Sequence, residues 1–224
     1  MRGLFVTGTG TDIGKTYVSA AIARELTDKN LSLAYYKAAV SGADSIELSD
    51  AGFVKKAANI KQDTASLLSY LYKNPLSPHL AARVENRFAS LEVIKESFDK
   101  LKSQYDYVLS EGAGGIICPV VYEKDKKIMY LDILKLLKLP CVVVADAGLG
   151  TINHTVLTLS YLKLNGVKVQ GVILNNYDNS SLMHQDNLYM INEISGYKVI
   201  ATLGKGQQKL NLLDKKMEDY FDEC

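Results

Sequence analysis

Gly8-Thr9-Gly10-Thr11-Asp12-Ile13-Gly14-Lys15-Thr16 is the stretch on which the fold turns. It follows a short apolar run, Gly3-Leu4-Phe5-Val6, and leads into a helical pattern over residues 15–29. A glycine-rich turn between a strand and a helix lets backbone N–H groups face inward on phosphate oxygens, and the helix N-terminus adds the positive end of its dipole. The strict phosphate-loop pattern has four residues between its glycines; here five separate Gly8 from Gly14, while the Gly14-Lys15-Thr16 ending is intact. On this reading Lys15 neutralises β- and γ-phosphate oxygens and the Thr16 hydroxyl holds Mg²⁺. The plain alternative is an ordinary strand–helix turn with an exposed lysine. The motif points to a nucleoside triphosphate and says nothing about what its phosphate is used for.

Outward from that loop, strands and helices alternate. Residues 31–40 read as a second strand stopped by Ser41-Gly42, and residues 43–59 as loop with a short helix. Residues 63–72 place Ala65, Leu67, Leu68 and Leu71 on one helical face. Residues 90–104 form a helix that Ser90 can cap, with Leu91, Ile94, Phe98 and Leu101 as its stripe. Strands follow at residues 105–110, 141–145, 167–174 and 197–203, and helices at 130–138, 151–165, 180–194 and, weakly, 213–222. The run Glu123 to Lys127 is a solvated hairpin tip. Such alternation predicts right-handed βαβ crossovers and a mostly parallel sheet with helices on both faces. No linker, repeat or low-complexity run interrupts it, so residues 1–224 are expected to form a single α/β domain. Ligands of such sheets sit beyond the carboxyl ends of the strands, which directs attention to the loops after Val6, Val40, Ser110, Ala145 and Leu174.

Composition narrows the function classes. Lys and Arg total 26 against 25 Asp and Glu, a balance that exerts no long-range pull on nucleic acid or an anionic membrane. Three cysteines, Cys118, Cys141 and Cys224, make neither a disulfide framework nor a metal site, and the expected compartment is a reducing cytoplasm. No apolar run of ~18 residues is present to span a bilayer, and the N-terminus lacks a signal-peptide pattern.

Three further side chains stand out. Glu111 follows the buried-type strand of residues 105–110 and precedes Gly112-Ala113-Gly114-Gly115, where a carboxylate suits a metal or water ligand better than a surface charge. Asp63 is either a metal ligand or a simple partner for a helix dipole. Lys37 lies in the otherwise apolar strand Leu33-Ala34-Tyr35-Tyr36-Lys37-Ala38-Ala39-Val40; it is either an edge residue facing water or a cation aimed at an anionic substrate. His79, following Pro78, reads as structural before catalytic; His154 and His184 lie on helices without metal-ligand partners, and no acyl-transfer triad is visible.

In order along the chain, Val6 to Thr16, Tyr36-Lys37, Ser41-Gly42, Ser77-Pro78-His79, Glu111 to Gly115, Gly150-Thr151-Ile152-Asn153-His154 and Asn175 resemble the dethiobiotin synthetase family. The resemblance implies a three-layer P-loop sandwich and an ATP- and Mg²⁺-dependent reaction. In it 7,8-diaminononanoate and CO₂ give dethiobiotin through a carbamate and a carbamic–phosphoric anhydride. It implies nucleotide contacts from Gly10, Thr11, Asp12, Ile13, Gly14, Lys15, Thr16, Tyr17, Glu111 and Asn175, and metal contacts from Thr16, Asp63 and Glu111. Catalytic roles fall to Lys15, Lys37, Asp12 and Thr11. Substrate contacts fall to Thr11, Lys37, Ser41 and Gly114, and to Gly150, Thr151, Ile152 and Asn153 supplied by the neighbouring subunit of a homodimer. The chain departs from the family at Ala38, where proline is common, at Asn176, where aspartate is common, and after Leu203, where a proline is absent. Two other functions compete: a nucleotide-switch or partition-type ATPase, and another amide-forming ligase of the same superfamily. The first usually carries an extra lysine early in the phosphate loop, where Thr9 and Gly10 stand; the second needs an ammonia source for which this chain has no room.

Overall fold

The computed structural model describes residues 1–224. β1 (Arg2–Gly8) runs through the glycine-rich loop into α1 (Lys15–Thr27). β2 (Leu33–Ser41), α2 (Asp50–Ala57), β3 (Leu68–Tyr72), α3 (Pro78–Val84), α4 (Leu91–Gln104) and β4 (Tyr107–Glu111) follow. A small hairpin, β5 (Pro119–Tyr122) with β6 (Lys127–Met129), precedes α5 (Tyr130–Leu137). The chain then continues through β7 (Cys141–Asp146), α6 (Thr151–Leu164), β8 (Val169–Asn175), α7 (Leu182–Ser195) and β9 (Val199–Leu203) to the two-residue strands β10 (Asn211–Leu212) and β11 (Asp222–Glu223).

The main sheet has the order β10-β9-β8-β7-β1-β4-β2-β3. Its seven longer strands are parallel, while β10 joins β9, and β11 joins β1, antiparallel. Because strand side chains alternate between faces, β1 feeds two cores. Leu4 and Val6 point into one with Val18 and Ile22 of α1, Val54 of α2, and Met217 and Tyr220 near the C-terminus. Phe5 points into the other, with Ala81 of α3, Phe98 of α4, Leu134 of α5, Leu159 of α6 and Ile191 of α7. Both faces are therefore covered, which explains why β7 (Cys141-Val142-Val143-Val144-Ala145) reads as an unbroken apolar run instead of an alternating one.

Three local expectations are corrected. Residues 63–72 are not a helix: Asp63 starts a single 3₁₀ turn, Thr64–Ser66, and β3 follows with Leu68, Tyr70 and Tyr72 turned inward. Two tyrosines favour the pleated surface, and pairing with β2 (Lys37 opposite Leu68, Ala39 opposite Tyr70) satisfies the backbone more fully than two turns of isolated helix would. Residues 213–222 are likewise not an α-helix but a 3₁₀ turn, Met217–Tyr220, followed by β11; the charged segment has no apolar stripe long enough to nucleate one. Ser90 does occupy the N-cap of α4, yet its hydroxyl bonds the Glu92 carboxylate and leaves the backbone N–H groups uncapped.

Candidate active site

The parallel strands all end on one side, and there a cleft of about 1020 Å³ opens between the glycine-rich loop, the tips of β2 and β4, and α2. That is at the upper end of single small-ligand pockets and suits a nucleotide beside a second molecule.

The loop is shaped by Gly14, whose φ of +86° is left-handed backbone, and by its close approach to β8: a Cβ on Gly14 would land on the Asn175 amide. Asn175 Nδ2 donates to the Ile13 carbonyl (3.0 Å) while its Oδ1 is buried without a partner. The sheet thus holds the loop from behind. α1 begins immediately after with no acidic residue in its first turn, so its free N–H groups have no internal anion. Lys15 is 7% exposed and its Nζ donates to the Gly10 carbonyl (2.7 Å); burial pulls its ammonium below the usual lysine range, against the opposing pull of Glu111. Thr11 and Asp12 stand exposed at the cleft mouth, Asp12 with φ +58°. Tyr17 lies at the rim, its ring 6.4 Å from that of Phe53 and nearly parallel to it.

Below the loop is a buried ionic cluster. Lys37 and Glu111 sit opposite each other on neighbouring parallel strands, and Lys37 Nζ donates to Glu111 Oε1 (2.8 Å) and to Asp50 Oδ2 (2.6 Å). The Thr16 hydroxyl donates to the same Glu111 Oε1 (2.8 Å). Burial alone would pull Lys37 down, but the charges and hydrogen bonds of Glu111 and Asp50 outweigh it and hold the ammonium above its usual range. Burial would push the Asp50 carboxyl up, but the charge and hydrogen bond of the Lys37 ammonium overcome it and keep that carboxyl low. Lys37 is therefore a buried cation lining the cleft from an interior strand and not an edge residue facing water.

Asp63 does not join this cluster. It is exposed, accepts a hydrogen bond from the Ala65 N–H (3.3 Å) and caps the 3₁₀ turn before β3, at the opposite end of that strand from the cleft. The second carboxylate at the site is Asp50, the first residue of α2, set there because Ser49 caps the helix. No periodicity marked residues 43–59, and an acid directly after a capping serine at a helix start was the signal available. Ser41 and Gly114 line the cleft, Ser41 with its hydroxyl on the Leu76 carbonyl (2.6 Å). Gly150, Thr151, Ile152 and Asn153 do not line it: they follow β7, which lies on the far side of β1 from β4 and β2. Their loop is held instead by Asn187, which donates to the carbonyls of Ala147 (2.9 Å) and Gly148 (3.1 Å).

A family profile described as an AAA domain matches residues 2–208. In solved structures the fold is similar to a ParA family ATPase from Chlorobium tepidum (TM-score 0.57, 16% identity, 90% of this chain and 82% of that one). It is also similar to the MinC:MinD cell division complex of Aquifex aeolicus (TM-score 0.58, 14% identity, 93% and 83%). Identities this low show the shared three-layer P-loop fold alone. Sequence relatives are much nearer. The ATP-dependent dethiobiotin synthetase of Brachyspira hyodysenteriae is 45% identical over 221 residues, covering 99% of both chains. That of Clostridium botulinum strain Loch Maree is 43% identical over 226 residues, again at 99% of both. The chain belongs to the dethiobiotin synthetase family. No helix of this dethiobiotin synthetase is long and apolar enough to cross a membrane.

Proposed function

We propose that this chain makes dethiobiotin from 7,8-diaminononanoate, CO₂ and ATP, working with Mg²⁺ as a cytoplasmic homodimer. The observation that carries the reading is the convergence of two buried cations, Lys15 and Lys37, with Thr16 and Glu111 at one cleft of a dethiobiotin-synthetase-family chain. One substrate amine adds to CO₂, losing a proton to give a carbamate. A carbamate oxygen takes the γ-phosphoryl group as its bond to ADP breaks; the second amine then attacks the carbamoyl carbon, expels phosphate and closes the ring. Negative charge accumulates on carbamate and phosphate, so positioned cations do most of the work. Lys15 faces the transferred phosphoryl group and Lys37 the carbamate. Thr11, Ser41 and Gly114 hold the reacting end of the diamine, with Asp12 beside its amines, and Tyr17 and Asn175 serve the nucleotide.

The Thr16 hydroxyl, Asp50 and Glu111 Oε1 present hard oxygen donors of the kind Mg²⁺ takes with phosphate oxygens. When bound there it supplies positive charge to the triphosphate. Asp63 is not carried forward. For the far carboxylate of the substrate, the free N–H groups at the start of α6 around Gly150, with Thr151, Ile152 and Asn153, serve the cleft of the opposite subunit. Leu149, Leu157 and Leu164, all exposed in the single chain, supply apolar surface for that contact.

The test is ADP release by purified protein with Mg²⁺ and ATP. Rapid release only with both diaminononanoate and bicarbonate supports the synthetase; equal release without the diamine would return the chain to a nucleotide switch. Lys37→Ala should lower turnover several hundred-fold, the scale of one preorganised electrostatic contact at ~2.7–4 kcal/mol.

A further inference from the structure

Glu111 is the most enclosed charge in the molecule, with no exposed surface. Its two oxygens are treated differently. Oε1 faces the cleft, where Thr16 and Lys37 donate to it; Oε2 faces inward and receives the Tyr35 hydroxyl at 2.9 Å. Tyr35 lies two residues before Lys37 on the same face of β2 and is opposite Leu109, so its ring runs diagonally beneath Glu111 on β4. The ring is fully buried, and its strand is pinned outside the sheet: the Tyr35 N–H donates to Gln62 Oε1 (2.7 Å), and Gln62 Nε2 donates to Ser66 through its carbonyl (3.2 Å) and its hydroxyl (3.0 Å). A carboxylate held at one oxygen can still swing; held at both, it has one orientation.

We propose that Tyr35 is a positioning residue, whose phenol fixes Glu111 at Oε2 so that Oε1 is presented to the divalent cation beside Thr16 and Asp50. A phenol suits the place because it is a donor without charge. A second cation there would neutralise Glu111, whereas the phenol leaves its full charge directed at the cleft. Groups that orient a metal ligand from behind typically govern metal affinity by 10–100-fold. This rests on the metal reading of the cleft.

The test measures, by calorimetry, how much more tightly the protein binds the Mn²⁺ complex of ADP than metal-free ADP. Tyr35→Phe should lose about tenfold of that enhancement with metal-free ADP affinity unchanged. Tyr35 replaced by 4-aminophenylalanine, which restores a neutral donor, should keep it. Tyr36→Phe removes a buried hydroxyl from the opposite face of the same strand, where it bonds Ser69 (2.6 Å) and the Ile94 carbonyl (3.2 Å). It should lower the denaturation midpoint and leave the enhancement intact. In a Glu111→Gln background, Tyr35→Phe should add no further loss. If Glu111→Gln itself keeps the enhancement, the metal reading fails and the proposal with it. If Glu111→Gln loses it but Tyr35→Phe does not, or the aminophenylalanine protein loses it, Tyr35 is overturned alone.

Discussion

Lys37 and Glu111 form a pair in which each charge depends on the other, since almost none of either side chain reaches solvent. Replacing a buried ion pair by apolar residues is often neutral or stabilising, while removing one partner costs ~3–5 kcal/mol. Stability therefore gives no reason to keep this pair, and its position at the cleft does. Asp50 differs, with 53% of its side chain exposed at the cleft mouth, so it can turn from Lys37 toward an incoming ligand. Asp50→Asn should raise the Mg²⁺ concentration needed for half-maximal ADP release at least tenfold, on the scale by which neighbours of a metal tune its affinity. Asp63→Asn, which keeps its cap on the 3₁₀ turn, should leave that requirement unchanged. An equal shift in both variants would remove Asp50 from the site.

At the scale of the element, the glycine-rich loop is built by backbone conformation and by β8 together. Gly14→Ala puts a side chain on left-handed backbone, at ~1–2 kcal/mol, and drives it into the Asn175 amide. It should lower the urea midpoint and abolish ATP binding by calorimetry; adding Asn175→Ala should recover part of the stability, because the contact is relieved and the φ is not. The loop, β1 and α1 were legible because Gly8-to-Thr16 carries its own backbone requirements. Lys37 and Glu111 stood out for a similar reason, as charges inside or at the tip of apolar strands. The metal role of Asp63 came with the resemblance; the helical period of Ala65, Leu67, Leu68 and Leu71 offered it only a helix dipole, and Leu68, Tyr70 and Tyr72 carry the period of a strand instead. Asp50 and Tyr35 were missed for a different cause. Their roles arise from pairing across distant strands and helices, and no local pattern in residues 31–59 records that Tyr35 lies under Glu111.

For the whole molecule, the two cores set a pH limit. Tyr35, Tyr36 and Tyr130 are each at most 1% exposed, and burial raises the phenol of all three, with Glu111 adding to it at Tyr35. The unfolded chain gives up these protons near pH ~10 and the folded chain holds them. The folded state thus binds more protons above that pH, and stability falls as pH rises through it. Ultraviolet titration at about pH 11 should show at least these three of the 14 tyrosines still protonated in native protein and ionised in urea. The proposed homodimer has its own test. Lys15→Ala and Asn153→Ala should each be poor alone, but mixed dimers combine an intact phosphate loop from one chain with an intact α6 start from the other. Random reassociation should restore activity to about a quarter of wild type; confirmed subunit exchange without recovery would mean that each subunit completes its own cleft.

The position of β1 bears on how the chain is born. β1 precedes the strands it pairs with by a long way, yet in the sheet it lies between β4 and β7, whose residues are 107–111 and 141–146. Contacts so remote in sequence carry a large closure entropy and form late. One edge of β1 therefore stays unpaired until residues 107–111 are available and the other until residues 141–146 are, with the glycine-rich loop unsupported behind it. The loop gains its support from Asn175 later still, when β8 is in place, so the segment that carries the phosphate-loop pattern is among the last to be held in its final shape.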